Sequence, residues 1–186
     1  MKKFKLTSEF IINALGVKVF RIEALIDFKG VRKGDKGGFV EKESNLSGNA
    51  EVSGDAWVYG NAEVSGNAEV SGDAVVSGNA WVGGNARVSG DARVSGNAEV
   101  SGDAEVSGDA EVSGEVFTLN FGYNLTLTDT HIKYGCIQKT IKEWIDFLES
   151  DEIIETERDT DKFKILEMSL RLAIEQHKQL NKKIEL

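Results

Sequence analysis

The central part of the chain repeats a hydrophobic pattern with a period of six residues. From Glu43 to Gly114 the sequence reads as twelve hexads of the form Asn/Asp-Ala-x-Val-Ser-Gly. An aliphatic residue holds the fourth position of every hexad, and alanine stands two residues before it in all but the first. Side chains two residues apart lie on the same side of a β-strand. Each alanine and valine are therefore expected to face one common core.

The hexads predict a β-solenoid. Glycine followed by asparagine or aspartate supplies a turn between short strands. A repeat of fixed length indicates a stack in which each unit buries its apolar face only against its neighbours. Three six-residue sides make one triangular coil, so residues eighteen apart should stack and the 72 residues should give about four coils. The predicted fold class is mainly β.

Stacking by eighteen predicts three rows of outward residues, each taken from the position before the aliphatic residue. The rows are Asn45, Glu63, Trp81, Glu99; then Glu51, Glu69, Arg87, Glu105; then Trp57, Val75, Arg93, Glu111. Adjacent coils lie about 4.8 Å apart, so Trp57 should touch Val75, with Tyr59 beside them. This apolar patch favours a contact with another chain, and we take Trp57, Tyr59, Val75 and Trp81 as interface candidates. The alternative is sequence drift on a rigid scaffold, because single exposed apolar residues are common.

The corners of the predicted prism differ in charge. One corner stacks only aspartates: Asp55, Asp73, Asp91 and Asp109. The other two are mostly asparagine, which can hydrogen-bond along the stack. A calcium site is disfavoured because each coil offers one Asp at this corner, and no metal or cofactor is expected. A basic partner surface is favoured for these aspartates and for the row that begins Glu51, Glu69; turn capping is the alternative.

The flanks of the repeat predict separate elements. Residues 1–42 contain two β-rich runs around Leu15 and Gly16, which predict a hairpin that caps the first coil. Residues 115–186 begin with three alternating segments, VFTLNF, YNLTLT and HIKYGC, which predict short strands with turns at Gly122-Tyr123 and Asp129-Thr130. A helix should follow, with Thr140 and Glu143 as its capping box. The expected domains are thus 1–42, 43–114 and 115–186.

A last helix is predicted from about Thr160. Its heptad seam contains Phe163, Leu166, Leu170 and His177, with Ala173 and Leu180 in the same series. Ile165, Met168 and Leu172 form a second stripe. This apolar surface is wider than one partner helix requires, so the second stripe predicts a contact with the solenoid or with another chain.

Two resemblances sharpen these expectations. The hexads resemble the repeat of left-handed parallel β-helices, which implies a left-handed coil. In addition, RIEALIDF, VRKGDKGGFVE, YGCIQKTIKEW and TERDTDKF are similar to segments of hexapeptide-repeat proteins of bacteriophages and prophages. Those proteins are often named as transferases or polymer-forming proteins on fold analogy alone. The resemblance implies a mobile-element protein in the cytoplasm of a bacterial host, without implying an activity.

Charge is divided unevenly along the chain. Residues 1–42 carry ten basic and five acidic residues, a net of +5; residues 43–114 carry two and twelve, a net of −10; residues 115–186 carry ten and fourteen, a net of −4. An acidic repeat argues against direct nucleic-acid binding. The single cysteine, Cys136, cannot form an internal disulfide and suits a reducing compartment. No apolar run is long enough to predict a membrane span.

The residues required for catalysis are missing from the repeat. Acyltransferases with this repeat use a histidine base beside a coil, but residues 43–114 contain no histidine and no inserted loop. His131 and His177 lie at positions that predict structural roles, and two histidines are too few for a three-histidine zinc site. Cys136 is placed in an alternating strand with no histidine at readable spacing. We therefore expect no catalytic residues.

The sequence favours a non-enzymatic, acidic binding protein. The predicted partner is a bacterial host protein with a basic surface, such as a component of a defence complex that the chain would inhibit, as an anti-CRISPR protein does. A homo-oligomer, dimer or trimer, is also expected, because the apolar patch and the spare helix stripe both need cover. The alternatives are a structural homo-oligomeric scaffold and a hexapeptide-type acyltransferase.

Overall fold

The computed structural model describes residues 2–114, 116–120, 123–154, 157–158 and 160–184, without the side chains of residues 120 and 181–184. The chain forms two compact units, Met1–Val116 and Phe117–Leu186. The last residue of the predicted strand VFTLNF lies outside the described residues, and so does Gly122 of the predicted turn. The two units are considered separately below.

The first unit begins with three ordinary strands, β1 (Phe4–Ile12), β2 (Lys18–Ala24) and β3 (Lys36–Val40). β1 and β2 form the expected antiparallel hairpin, and Gly16 in its turn has a φ of 79° that suits glycine. β3 pairs antiparallel with β2 on one side and parallel with the solenoid on the other. The N-terminal segment and the repeat therefore belong to one compact unit, because one sheet runs continuously from the first into the second.

The hexads from the second onward each contribute one two-residue strand. These are β4 (Glu51–Val52), β5 (Trp57–Val58), β6 (Glu63–Val64), β7 (Glu69–Val70), β8 (Val75–Val76), β9 (Trp81–Val82), β10 (Arg87–Val88), β11 (Arg93–Val94), β12 (Glu99–Val100), β13 (Glu105–Val106) and β14 (Glu111–Val112). They stack in parallel at a register of eighteen residues, for example Glu51 opposite Glu69. The sheet orders are β4-β7-β10-β13, β6-β9-β12, and β1-β2-β3-β5-β8-β11-β14. A β-solenoid of about four coils is thus confirmed; its handedness stays a prediction.

The solenoid core contains almost only alanine and valine. The valine at the second position of each strand from β4 to β14 is at most 2% exposed, and Ala50, at 9%, is the most exposed alanine of the hexads. The corner glycines stack closely: at Gly84, with a φ of 67°, an added Cβ would lie 3.0 Å from the backbone nitrogen of Gly102. The repeat therefore needs glycine both for its conformation and for the distance between coils.

The first hexad departs from the pattern. Glu43–Asn45 forms a 3-10 turn instead of a strand, and Leu46 makes only an isolated bridge to Val64. The prediction that Asn45 faces outward is wrong, because its side chain is fully buried. Its Nδ2 donates to the carbonyl oxygen of Ala62 at 2.7 Å, and its Oδ1 accepts from the Lys42 amide at 2.9 Å. The buried amide fixes the entry of the chain into the first coil.

The second unit contains a four-stranded antiparallel sheet and two helices. The strands are β15 (Phe117–Asn120), β16 (Asn124–Leu127), β17 (His131–Tyr134) and β18 (Ile137–Thr140), and the helices are α1 (Ile141–Glu149) and α2 (Asp161–Ile184). β18 was not predicted. Cys136 was placed in a strand and instead lies exposed in the turn between β17 and β18, where Gly135 has a φ of 58°. That left-handed glycine reverses the chain earlier than the alternation suggested.

Both helices begin as the sequence predicts. Thr140 accepts a hydrogen bond from the Glu143 amide at 3.2 Å, and Glu143 accepts from the Thr140 amide at 2.7 Å, which completes the capping box. The Thr160 hydroxyl accepts from the Phe163 amide at 3.2 Å. The core of this unit is aromatic: Trp144 is fully buried, stacks edge-on against Phe147, and donates from Nε1 to the Ile132 carbonyl at 2.7 Å.

Candidate functional site

The aspartate corner and the asparagine corners of the solenoid behave differently. The asparagine corners form hydrogen-bonded ladders along the stack, with Asn–Asn distances of 3.0–3.2 Å through Asn49, Asn67 and Asn85 and through Asn61, Asn79 and Asn97. The aspartate corner has no donor side chains. Within the described part of the chain, the exposed carboxylates of Asp73 and Asp91 have no side-chain partner. This corner therefore presents negative charge to solvent.

The first aspartate of that corner is held by the N-terminal segment. Arg21 lies 3.3 Å from Asp55 and donates to the carbonyl oxygens of Gly37 at 3.0 Å and Gly54 at 2.9 Å. Its guanidinium also stacks 4.0 Å from the Phe39 ring centre. Asp55 thus joins the cap to the first coil, whereas its stacked equivalents Asp73 and Asp91 do not.

The Glu51–Glu69 row is partly neutralised. Lys29 lies 2.8 Å from Glu69, and Arg87 lies 3.6 Å from Glu69 and 3.8 Å from Glu105. The hydrogen bond from Lys29 lowers the pKa of Glu69 below its ordinary value, with smaller help from the charges of Lys29 and Arg87. Glu51, at the start of the row, has no side-chain partner among the described residues. Lys29 and Arg21 were not singled out by the sequence, because their partners lie 40 and 34 residues away, respectively.

The predicted apolar patch is only partly exposed. Trp57 pairs with Val75 on one side and with Phe39 on the other, so the row continues into the N-terminal segment. Phe39 is 2% exposed, whereas Trp57, Tyr59 and Val75 are each half-buried. The cap therefore covers one end of this patch, and the surface that remains is smaller than the sequence suggested.

Trp81 lies against its own strand. It is 37% exposed, and its Nε1 donates to the Ser65 hydroxyl at 2.9 Å. A Cβ added at Gly83 would come within 2.3 Å of the indole ring. The indole therefore occupies the space above Gly83. The residue after the aliphatic position is serine in every hexad except two, which have Tyr59 and Gly83. The position of the indole explains the glycine.

The two stripes of α2 have different environments. Phe163, Leu166 and Leu170 are buried in the core of the second unit. His177 is half-buried, and its Nε2 donates to the Asp129 carbonyl at 3.0 Å. Ile165, Met168 and Leu172 are 39%, 54% and 46% exposed. The heptad seam therefore packs within this unit, and the second stripe is exposed.

A further exposed surface was missed by the sequence reading. β1 is the edge strand of the seven-stranded sheet, and its last residues Phe10, Ile11 and Ile12 are 47%, 37% and 59% exposed. Leu15 in the following turn is 77% exposed. The sequence predicts only a capping hairpin here, because a β-rich run alone does not show which strand lies at a sheet edge.

The comparisons agree with the solenoid geometry. The family model described as the YdcK beta solenoid repeat matches residues 68–84 and 86–102. The two matched segments start eighteen residues apart, which is the length of one coil. Comparison of the chain with curated proteins gave no match. Similarity to this repeat supports a β-solenoid and carries no activity with it.

Neither a metal-binding cluster nor a membrane-spanning helix occurs among the described residues. They contain no group of three or more His, Cys, Asp or Glu side chains arranged to hold a metal ion. No helix in the described ranges combines the length and apolar character needed to cross a membrane.

Proposed function

We propose that this chain is a non-enzymatic binding protein whose acidic solenoid docks on a basic surface of another macromolecule. The observation that carries the proposal is the row of exposed carboxylates at the aspartate corner, of which Asp73 and Asp91 have no partner among the described residues. Unpaired charges at one spacing make a surface complementary to a row of cations.

The spacing of this row resembles that of a nucleic-acid strand. Successive coils place carboxylates about 4.8 Å apart, and one strand of duplex DNA carries a charge per about 3.4 Å of helix axis. A rigid acidic row can therefore occupy a groove that normally holds a phosphate backbone. The resemblance to phage and prophage proteins gives the proposed partner: a bacterial host protein, such as a nuclease complex of a defence system, that the chain inhibits by occupying this groove.

Two variants that remove the same number of charges from different faces distinguish this proposal from a general effect of net charge. The double substitution Asp73→Asn/Asp91→Asn removes two charges from the aspartate corner. Its matched control, Glu63→Gln/Glu99→Gln, removes two charges from a different face. Proteins captured from a bacterial lysate by the wild-type chain should be lost with the first variant and retained by the second. The wild-type complex should also weaken as salt increases.

Two results would contradict this proposal. Equal capture by both variants would show that the aspartate corner is not the contact. A wild-type affinity that does not change between low and high salt would move the contact to the apolar surfaces. The acyltransferase alternative has its own test: calorimetry should detect no binding of acetyl-CoA, and binding in the micromolar range would overturn the non-enzymatic reading.

A structural homo-oligomer is the second candidate, and the exposed edge of β1 favours it. An edge strand presents unpaired backbone groups that can bond to another strand. The first half of β1 is protected by an irregularity between Leu6 and Phe10 and by the Lys5–Glu23 ion pair. The second half, Phe10 to Ile12, carries no charge and exposes three large apolar side chains. A second copy could pair antiparallel with this half and bury both sets.

Light scattering on two variants separates the possible interfaces. The wild-type protein should form a dimer or trimer, and Ile12→Lys should give monomers if β1 is the contact. Met168→Lys, on the open stripe of α2, should do so only if the helix is the contact. A wild-type protein that stays monomeric at high concentration would exclude both, without bearing on the acidic surface.

A further inference from the structure

A cavity of about 580 Å³ lies at the N-terminal end of the solenoid. Its floor is apolar and includes Ile22, Leu46, Ala50 and Val52. Leu46 and Ala50 are 7% and 9% exposed, whereas the inward-facing valines of the later coils are 0–1% exposed. The first coil is therefore only partly covered by the N-terminal segment, and the uncovered part of its core faces this cavity.

The wall of the cavity is a loop held across the first coils. Lys29 has a φ of 51°, which is uncommon for a residue with a side chain. Its Nζ donates to the Asn67 carbonyl at 3.0 Å and to Glu69 Oε1 at 2.8 Å. Phe28 and Val31 exchange backbone hydrogen bonds at 3.0 and 2.9 Å. These bonds hold the strained residue in place, so the cavity exists before any ligand enters.

The charges around the cavity leave one carboxylate without a partner. The two lysines of the lining are both engaged, Lys29 with Glu69 and Lys36 with Glu9, each at 2.8 Å. Asp35 accepts from the Arg32 amide at 2.8 Å. The Glu51 carboxylate, half-buried beside the apolar floor, has no hydrogen bond or ion pair to any described residue. With two lysines and three carboxylates, the lining has a net charge of −1.

We propose that this cavity binds a small organic cation: an amine attached to an apolar body of one ring or a short chain. The ammonium group would bond to Glu51, and the apolar body would cover Leu46, Ala50 and Val52. A volume of about 580 Å³ falls within the usual range for small-molecule sites and is large enough for a ligand of about ten non-hydrogen atoms. A single lysine side chain from a partner protein is too small to fill it. An anion is disfavoured because both lysines already have carboxylate partners.

The test is a titration with three molecules of nearly equal shape. 2-Phenylethylamine, 2-phenylethanol and 3-phenylpropanoate differ mainly in the charge of the polar end. Methyl resonances of Leu46 and Val52 report on the floor of the cavity, and those of Val100 report on the distant coils. The amine should shift the first set saturably and leave the second unchanged. The alcohol and the carboxylate should bind about ten-fold more weakly, because they lose a charge-assisted hydrogen bond.

Two variants show whether Glu51 carries the recognition. Glu51→Gln should weaken amine binding about ten-fold and leave 2-phenylethanol unaffected. Glu63→Gln changes the same hexad position on another face and should leave amine binding unchanged. Equal binding of the amine and the carboxylate, equal effects of the two variants, or no saturable shift at Leu46 and Val52 would each overturn the proposal. No macromolecule is present in this titration, so its outcome is independent of the proposed docking on a basic surface.

Discussion

The two units of this protein reach a buried core by different routes. The solenoid repeats one small side-chain pair, alanine and valine, and each pair is buried by the coils above and below it. The second unit buries a varied set that includes Trp144, Phe147 and Phe163, drawn from both helices and packed together with strand residues. In the solenoid, stability is spread over equivalent neighbours. In the second unit it depends on a few large side chains that have no equivalent.

This contrast also separates structural from functional polar residues. In the solenoid, two corners carry asparagines that bond along the stack, whereas at the third corner Asp73 and Asp91 have no such bond to any described residue. The repeat therefore provides an internal reference: a corner residue that does not take part in a ladder is not explained by stabilisation of the stack. The second unit offers no such internal reference, and its exposed stripe of Ile165, Met168 and Leu172 can be judged only by exposure.

The largest effect is expected from Trp144→Ala. The change removes a fully buried side chain and its hydrogen bond to the Ile132 carbonyl, and should cost about 3–5 kcal/mol. Hydrogen exchange should then show loss of protection throughout the second unit while the solenoid amides stay protected. Val88→Ala, at a fully buried solenoid position, should cost only about 1–2 kcal/mol. Loss of protection in both units with Trp144→Ala would contradict this prediction.

Two glycine substitutions should break the solenoid to different extents. Gly84 and Gly102 occupy the same corner position with φ values of 67° and 63°, so alanine carries the same backbone cost at both, about 1–2 kcal/mol. At Gly84 the new Cβ would lie 3.0 Å from Gly102, whereas at Gly102 nothing lies within 4 Å. Gly84→Ala should therefore cost about 1–3 kcal/mol more than Gly102→Ala in chemical denaturation. Equal costs would show that the coils can separate without loss.

The repeating part of the fold could be predicted from the spacing of the hexads. The parts that do not repeat could not be predicted in this way. The pairing of Trp57 with Val75 followed from a spacing of eighteen residues alone. The buried Asn45 escaped prediction because its partners, Ala62 and Lys42, are set by how the chain enters the first coil. Arg21 and Lys29 escaped for the same reason: their roles arise from one non-repeating loop and hairpin. β18 is four residues long and lacks a distinctive pattern, so the early turn at Gly135 could not be read.

Acid should weaken each unit through a different carboxylate. The pKa of Glu69 is lowered mainly by its hydrogen bond from Lys29, and that of Glu143 mainly by the Thr140 amide and hydroxyl. A lowered folded pKa contributes stability above the unfolded value of about 4.3, and this contribution is lost as pH falls through the folded pKa. Denaturation between about pH 6 and 3 should show this loss. Glu69→Gln should reduce the pH dependence of the first unit only, and Glu143→Gln that of the second unit only.

The smallest effect is expected from exchanging the two kinds of corner residue. Asn79 accepts from Asn61 at 3.2 Å and donates to Asn97 at 3.1 Å. Asn79→Asp keeps the first bond and loses the second, so it should cost roughly 0.5–1.5 kcal/mol. Asp91→Asn makes the opposite change at the aspartate corner and should stabilise the solenoid by a few tenths of a kcal/mol, because it relieves repulsion between stacked carboxylates. The measurement is the free energy of unfolding of each variant at low salt.

If Asp91→Asn instead destabilises the protein, the aspartates cap their own turns and have a structural role. If it stabilises, the wild-type charge is kept against stability, as expected for a surface that meets a basic partner.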